Sequence, residues 1–196
     1  MEAVILTKTY QNIPLCESEI FRYCGFFEVT DDAKKLLSEC LSKLENRLTY
    51  KVCFCELPVK TEGNVCDFSL FCVKSADLAK NMAGCDKAVI FAATVGIEID
   101  RIVSKYSKIA PAKALMFEAI GNERIEALCD KFCSEFELQN ITQPRFSPGY
   151  GDLPLATQRD FFSLLDCQRK IGLTLNDSLL MSPSKSVTAF LGIKKQ

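Results

Sequence analysis

Between Thr30 and Leu48 the apolar positions recur every three or four residues. Ala33, Leu36, Leu37, Cys40, Leu41, Leu44 and Leu48 form one stripe behind Thr30-Asp31-Asp32, whose side chains suit the open amides of a first helical turn. An amphipathic helix is predicted there. The period then changes: Lys51 to Val59 and Val65 to Lys74 read as two strands around Thr61-Glu62-Gly63-Asn64, so an antiparallel hairpin is the expected pairing. Ser75 can cap a short helix that stops at Gly84, and Ala88-Val89-Ile90-Phe91-Ala92-Ala93 has the unbroken apolar character of a buried strand. After Thr94-Val95-Gly96, helices are predicted from Glu98 to Tyr106 and from Pro111 to about Gln139, with the proline in a first turn where its missing N–H is no loss. Thr142 to Leu155 has no period and reads as a loop. Leu155 to Asp166 is a predicted helix, and Ile171 to Leu175 and Val187 to Ile193 are short strands.

Hairpins interleaved with helices, without regular βα alternation, indicate an α+β fold built on a twisted, mainly antiparallel sheet with flanking helices. No repeat and no Gly/Ser linker divides the chain, so residues 1–196 are expected to form a single domain. With 48% apolar and 25% charged residues, a chain of 196 can bury a sizeable core. Its 24 basic and 25 acidic residues leave a formal charge of −1, which offers no electrostatic footprint for nucleic acid or an anionic membrane. No apolar run approaches the roughly 18 to 20 residues of a membrane span. Met1-Glu2-Ala3 carries an acid where a secretory signal has basic residues, so a cytoplasmic location is expected.

The chain has 11 cysteines and no C-x-x-C spacing. Cys53 and Cys55 would share one face of a strand, Cys129 and Cys133 lie one helical turn apart, and free buried thiols are expected rather than disulfides or a metal site. With zero histidines, Ser-His-Asp triads, Cys-His dyads, His-ligated zinc and imidazole proton shuttles are all excluded.

The most specific stretch is Arg145-Phe146-Ser147-Pro148-Gly149-Tyr150-Gly151-Asp152-Leu153-Pro154. Pro148 and Pro154 remove amide donors, Gly149 and Gly151 open backbone conformations closed to other residues, Arg145 offers a planar fork for a carboxylate, and Tyr150 a flat face with a hydroxyl. Counting at about 100° per residue along the long predicted helix puts Lys113, Arg124 and Lys131 on one side, the expected wet face. Glu126, Asp130 and Glu137 fall nearly opposite, with Leu115, Ala119 and Cys133. Acids facing that way need a partner, either an internal cation such as Arg145 or Arg101 or a cationic ligand. Asp152 suits either a turn or a contact to a ligand's ammonium or hydroxyls. Pro183-Ser184-Lys185-Ser186 lacks the glycines of a phosphate loop, so nucleoside triphosphate binding is rejected and Lys185 reads as a surface or docking charge. Met116 and Phe117 are expected in the core.

In order and spacing, Arg145 to Tyr150, Gln158, Phe161 to Asp166, Ile171 to Ser178 and Pro183 to Ala189 resemble the activation (AdoMet-binding) domain of cobalamin-dependent methionine synthase, in its short stand-alone form. The match is most specific over residues 145–192 and continues more weakly through Ser75 to Asn81, Ala92 to Gly96 and the long helix. The resemblance implies that fold and S-adenosylmethionine as the bound group. It assigns Arg145 to the ligand carboxylate, Ser147, Gly149 and Tyr150 to the adenosyl part, and Glu126, within Ile125-Glu126-Ala127, to the amino end. It nominates no catalytic residue and no metal ligand. Cobalamin would sit only on a partner, a cobalamin-dependent methionine synthase lacking its own activation domain, with an electron donor such as flavodoxin. Three departures bear on affinity: Gln139 stands where the fused enzymes have a glutamate, Phe190-Leu191 replaces an aromatic pair, and Gly151-Asp152-Leu153-Pro154 lacks their histidine. Two other functions stay open: a self-contained AdoMet-dependent small-molecule methyltransferase, although no Gly-rich strand-to-helix turn is present, or an adaptor with a decayed ligand site.

Overall fold

Strand positions that are apolar on both faces need cover on both sides, and the chain supplies it by folding helices and a small second sheet around one central sheet. The computed structural model describes residues 3–194. The first half runs β1 (Leu6–Tyr10), α1 (Glu17–Tyr23), α2 (Asp31–Leu44), β2 (Tyr50–Pro58), β3 (Lys60–Glu62), β4 (Val65–Asp67), β5 (Cys72–Lys74) and α3 (Ala76–Asn81). It continues with β6 (Cys85–Thr94), α4 (Glu98–Tyr106), α5 (Pro111–Glu137), a 3-10 turn over Leu155–Thr157, α6 (Gln158–Leu165), α7 (Cys167–Ile171), β7 (Thr174–Leu175), β8 (Met181–Ser182) and β9 (Ser186–Lys194).

The central sheet has the order β1-β2-β6-β9, antiparallel throughout, so the α+β reading holds. The expected hairpin does not. A tight turn does join Glu62 to Val65, but it links β3 to β4 in a separate sheet with β5, while β2 pairs with β1 and β6. The reason is burial. Val52 and Phe54 of β2 point into one core and Cys53, Cys55 and Leu57 into the other, so β2 belongs in the central sheet, where both of its faces are covered. The run after Val65 alternates exposed and buried and breaks at Ser69, whose φ is +68° and whose amide donates to Asp67 at 2.7 Å. Ile171 to Leu175 likewise divides into the end of α7 and the short β7.

One core lies between the sheet and α1, α2, α4 and α5, and includes Ile20, Leu37, Ile99, Phe117 and Phe132. Met116 belongs to it, as expected. The other lies beneath α3, α6, α7 and the small sheet, and holds Phe68, Leu78, Phe161 and Phe190. All 11 cysteines are free. Cys53, Cys55, Cys129 and Cys133 are buried, whereas Cys16 and Cys72 are exposed. Among the described residues no cluster suited to a metal ion occurs, and no helix is long and apolar enough to cross a membrane.

One charge of α5 expected on the wet face is not on the surface. Arg124 is only 4% exposed, and its neighbour Glu123 only 3%. Residues 13–16 pass over that side of α5, and the pair fastens them: Arg124 donates to Glu123 at 2.5 Å and to the carbonyls of Ile13 and Pro14 at 2.8 and 2.5 Å, while Glu123 accepts from the Cys16 amide at 3.0 Å. Conversely Leu115, placed with the acids by angle counting, is exposed. Lys185 is not a docking charge either. Its ammonium meets Glu118 and Asn122, tying the approach to β9 across α5. Gly121 leaves room for that crossing, since a Cβ there would stand 3.0 Å from Lys185 Cγ and 2.8 Å from Ile99 Cγ2.

Candidate functional site

Residues 141–146 run along the outer edge of β9. Lys194 donates to Ile141 at 2.8 Å, Gln143 to Gly192 at 2.9 Å, and Phe146 and Phe190 exchange both backbone bonds at 2.9 Å. Strand-like alternation then sends Phe146 into the core that contains Phe190 and Arg145 toward α5. The chain next turns twice. Tyr150 donates to the Ser147 carbonyl at 3.1 Å with Pro148 and Gly149 between them and Gly149 at φ +93°, the residue order of a type II turn. Leu153 donates to Tyr150 at 2.9 Å and Gly149 to Leu153 at 3.0 Å, which closes the loop on itself.

Asp152 has a structural use that its sequence context did not reveal. Its carboxylate accepts from the Ser75 hydroxyl and from the amides of Ala76 and Asp77 at 2.7 and 3.1 Å, so it satisfies donors at the start of α3. Asp77 accepts in return from the Asp152 amide at 3.1 Å. Gly151, at φ +51°, is required here because a Cβ would collide with the Asp77 carboxylate. The Ser75 hydroxyl, and then the two amides, hold the Asp152 carboxyl below the usual carboxylate range. A carboxyl depressed in this way adds stability above its unfolded value of about 3.9 and loses it as the pH falls through its folded value. Asp152→Asn is therefore expected to melt below the parent protein at pH 7. The difference should close below about pH 4, which paired thermal melts will test; a difference independent of pH would assign the loss to packing alone.

Arg145 ends between two acids of α5. One terminal nitrogen donates to Glu126 and the other to Asp130, one helical turn further on. Of the two readings of these acids, the internal ion pair with Arg145 is present in this structure; Arg101 pairs instead with Glu98 at 2.6 Å. Burial by itself would lower the Arg145 pKa, but the bond to Asp130 and the surrounding negative groups outweigh it and raise the value, so the guanidinium stays charged. Beside the pair lies an open groove of about 550 Å³, walled by Asp130, Cys133, Glu137, Arg145, Tyr150 and Leu191 among others. Burial pushes the Cys133 thiol up to about 11, so it remains neutral near pH 7. Tyr150 meets Phe146 edge-on at 6.2 Å and leaves 59% of its surface exposed.

The nominated residues thus divide. Arg145 and Tyr150 line the groove, Glu126 reaches it through Arg145, and Ser147 and Gly149 belong to the turn behind Tyr150. The positions noted as departures separate as well. Phe190 is fully buried, stacked on Phe68 at 4.8 Å and meeting Phe161 edge-on at 4.7 Å, so only Leu191 of that pair borders the groove. Gln139 borders a different groove, with Lys87, Glu135 and Lys194. Asp130 and Glu137 are groove acids that nomination missed, although the helical count had placed both on the face of Glu126. A larger groove of about 880 Å³ runs between residues 10–17 and α2, walled by Leu37, Leu41 and Leu48, but no residue of the Pro/Gly loop reaches it. The groove at Arg145 combines a cation, acids, an aromatic edge and an apolar floor, a set suited to holding a zwitterion that carries a flat ring.

A model of the family described as vitamin B12 dependent methionine synthase, activation domain, matches residues 137–196. The chain is also similar in fold to the MetH reactivation domain, whose crystal structure is bound to AdoHcy. The TM-score is 0.73 at 15% identity, over 97% of this chain and 78% of that one. No curated protein matches. The resemblance read from residues 145–192 is therefore borne out, and the α+β fold is that of the reactivation domain.

Proposed function

We propose that the chain binds S-adenosylmethionine in the groove beside Arg145 and supports reductive remethylation of cob(II)alamin on a partner. The partner is a cytoplasmic cobalamin-dependent methionine synthase without its own activation domain, served by an electron donor such as flavodoxin. The observation that carries this reading is the Arg145 fork at an open groove, within the segment that the activation-domain model matches. When bound, S-adenosylmethionine supplies a sulfonium methyl group for transfer. Arg145 holds its carboxylate, an acid of α5 meets its amino end, and the turn from Ser147 to Tyr150 takes the adenosyl part. The resemblance gives the amino end to Glu126. With no histidine to offer cobalt, this chain contributes orientation, and the corrinoid is carried elsewhere.

The test is spectroscopic. The purified chain, S-adenosylmethionine, a reductant and the partner in its cob(II)alamin state are mixed, and methylcobalamin formation is followed. Formation that depends on the chain is expected, through a small and transient interface. An unchanged rate when the chain is omitted would leave the adaptor reading in its place. Methylation of a small acceptor with no corrinoid present would instead identify a self-contained methyltransferase.

A further inference from the structure

We infer that Asp130, rather than Glu126, is the acid that meets the cationic end of the ligand, while Glu126 stays behind as the fixed counter-charge of Arg145. This rests on reading the groove as an S-adenosylmethionine site. Asp130 borders the groove together with Arg145 and Tyr150, and Glu126 does not. The Asp130 side chain is also the more solvated of the two, at 69% exposure against 40%, so its bond to Arg145 is the cheaper one to give up. The two acids sit on different terminal nitrogens of the guanidinium, so release of one leaves the other in place.

Geometry then makes the exchange self-consistent. In an α-amino acid the ammonium and the carboxylate leave the same carbon, so a carboxylate that takes Asp130's place on Arg145 brings a cation directly beside the displaced acid. One ion pair is traded for two, and neither Arg145 nor Asp130 is left unmatched. A simple carboxylate entering the same place would strand Asp130, and a ligand with no charged end would gain nothing from either group. Asp130 is therefore a specificity-determining residue that favours zwitterionic ligands, partly by penalising the alternatives. It also answers the departure at Gln139: that position borders another groove, and the acid at this one comes from α5 instead.

Titration calorimetry on the full chain tests the assignment with two probes, S-adenosylmethionine and 5′-methylthioadenosine, which lacks the amino-acid end. Removing Asp130 also relieves Arg145 of an internal competitor, which favours a ligand carboxylate, so a net loss reports the missing ammonium contact. Asp130→Asn is expected to weaken S-adenosylmethionine about tenfold while leaving 5′-methylthioadenosine within about twofold. Glu126→Gln is expected to cost less affinity and to lower the melting temperature of the unliganded chain. Asp130→Asn that binds S-adenosylmethionine as tightly as the parent, or a greater loss in Glu126→Gln, overturns this inference alone. A parent chain that binds neither probe overturns the proposed function with it.

Discussion

Replacing Arg124 by methionine is expected to lower the stability of the folded chain by about 3 to 5 kcal/mol. The side chains of Arg124 and Glu123 are 5% and 4% exposed, and the guanidinium is the partner of the Glu123 carboxylate and of two backbone carbonyls. Methionine fills a similar space but leaves the carboxylate buried without a counter-charge, and that uncompensated charge dominates the cost. Urea unfolding should show a lower midpoint with an unchanged slope. Replacing both residues together, Glu123→Leu with Arg124→Met, should recover much of the loss, because the buried charge then goes with its partner. A double variant as unstable as the single one would move the cost to the carbonyls of Ile13 and Pro14 and to the Cys16 amide.

Arg145→Ala is expected to weaken S-adenosylmethionine binding by about 2 to 4 kcal/mol, or roughly thirty- to a thousandfold in Kd. The ligand carboxylate loses a charge-assisted pair of bonds. Glu126 and Asp130 are left a turn apart with no cation between them and now repel the incoming carboxylate. Arg145→Lys should restore only part of the affinity, since an ammonium cannot present two parallel donors. Stability should change far less than for Arg124, because this pair is partly open to water. Calorimetry on folded variants decides the matter: an Arg145→Ala protein with the parent's Kd would remove Arg145 from the site.

The contrast between these two arginines marks where sequence reasoning reaches and where it stops. Arg145 was legible because its neighbours restrict the backbone: Pro148 and Gly149 occupy the second and third places of a turn, and the spacing of Glu126 and Asp130 puts both acids on one helical face. Arg124 was not. Angle counting assigns faces of an isolated helix, whereas the side on which Arg124 lies is covered by residues 13–16, a segment with no periodicity to announce it. The same limit explains β1 and α1, which are short and pack on β2 and α5, far from them in sequence. Helix α4 matched its predicted bounds because period, burial and end charges agree locally, with Glu98 and Asp100 in its first turn and Lys105 in its last. The hairpin failed because strand partners are chosen by distant burial demands, and Thr61-Glu62-Gly63-Asn64 could report only that the chain turns. Asp152 shows the limit at the site itself: its partners lie 75 to 77 residues away, beyond any local pattern.

The bonding of residues 141–146 to β9 has a consequence for biosynthesis. The loop bearing Arg145 leaves the ribosome before the strand that holds it, and Phe190 and Leu191 supply respectively the edge it bonds to and the floor of its groove. A nascent chain can already lay down α5, β2 and β6, yet it has nothing for a ligand to fill until β9 has been translated and docked. Ligand therefore cannot nucleate folding of the emerging polypeptide. It can only trap the chain once β9 has docked, so supplementing cells with S-adenosylmethionine should protect folded protein from proteolysis while leaving the yield of newly made protein unchanged.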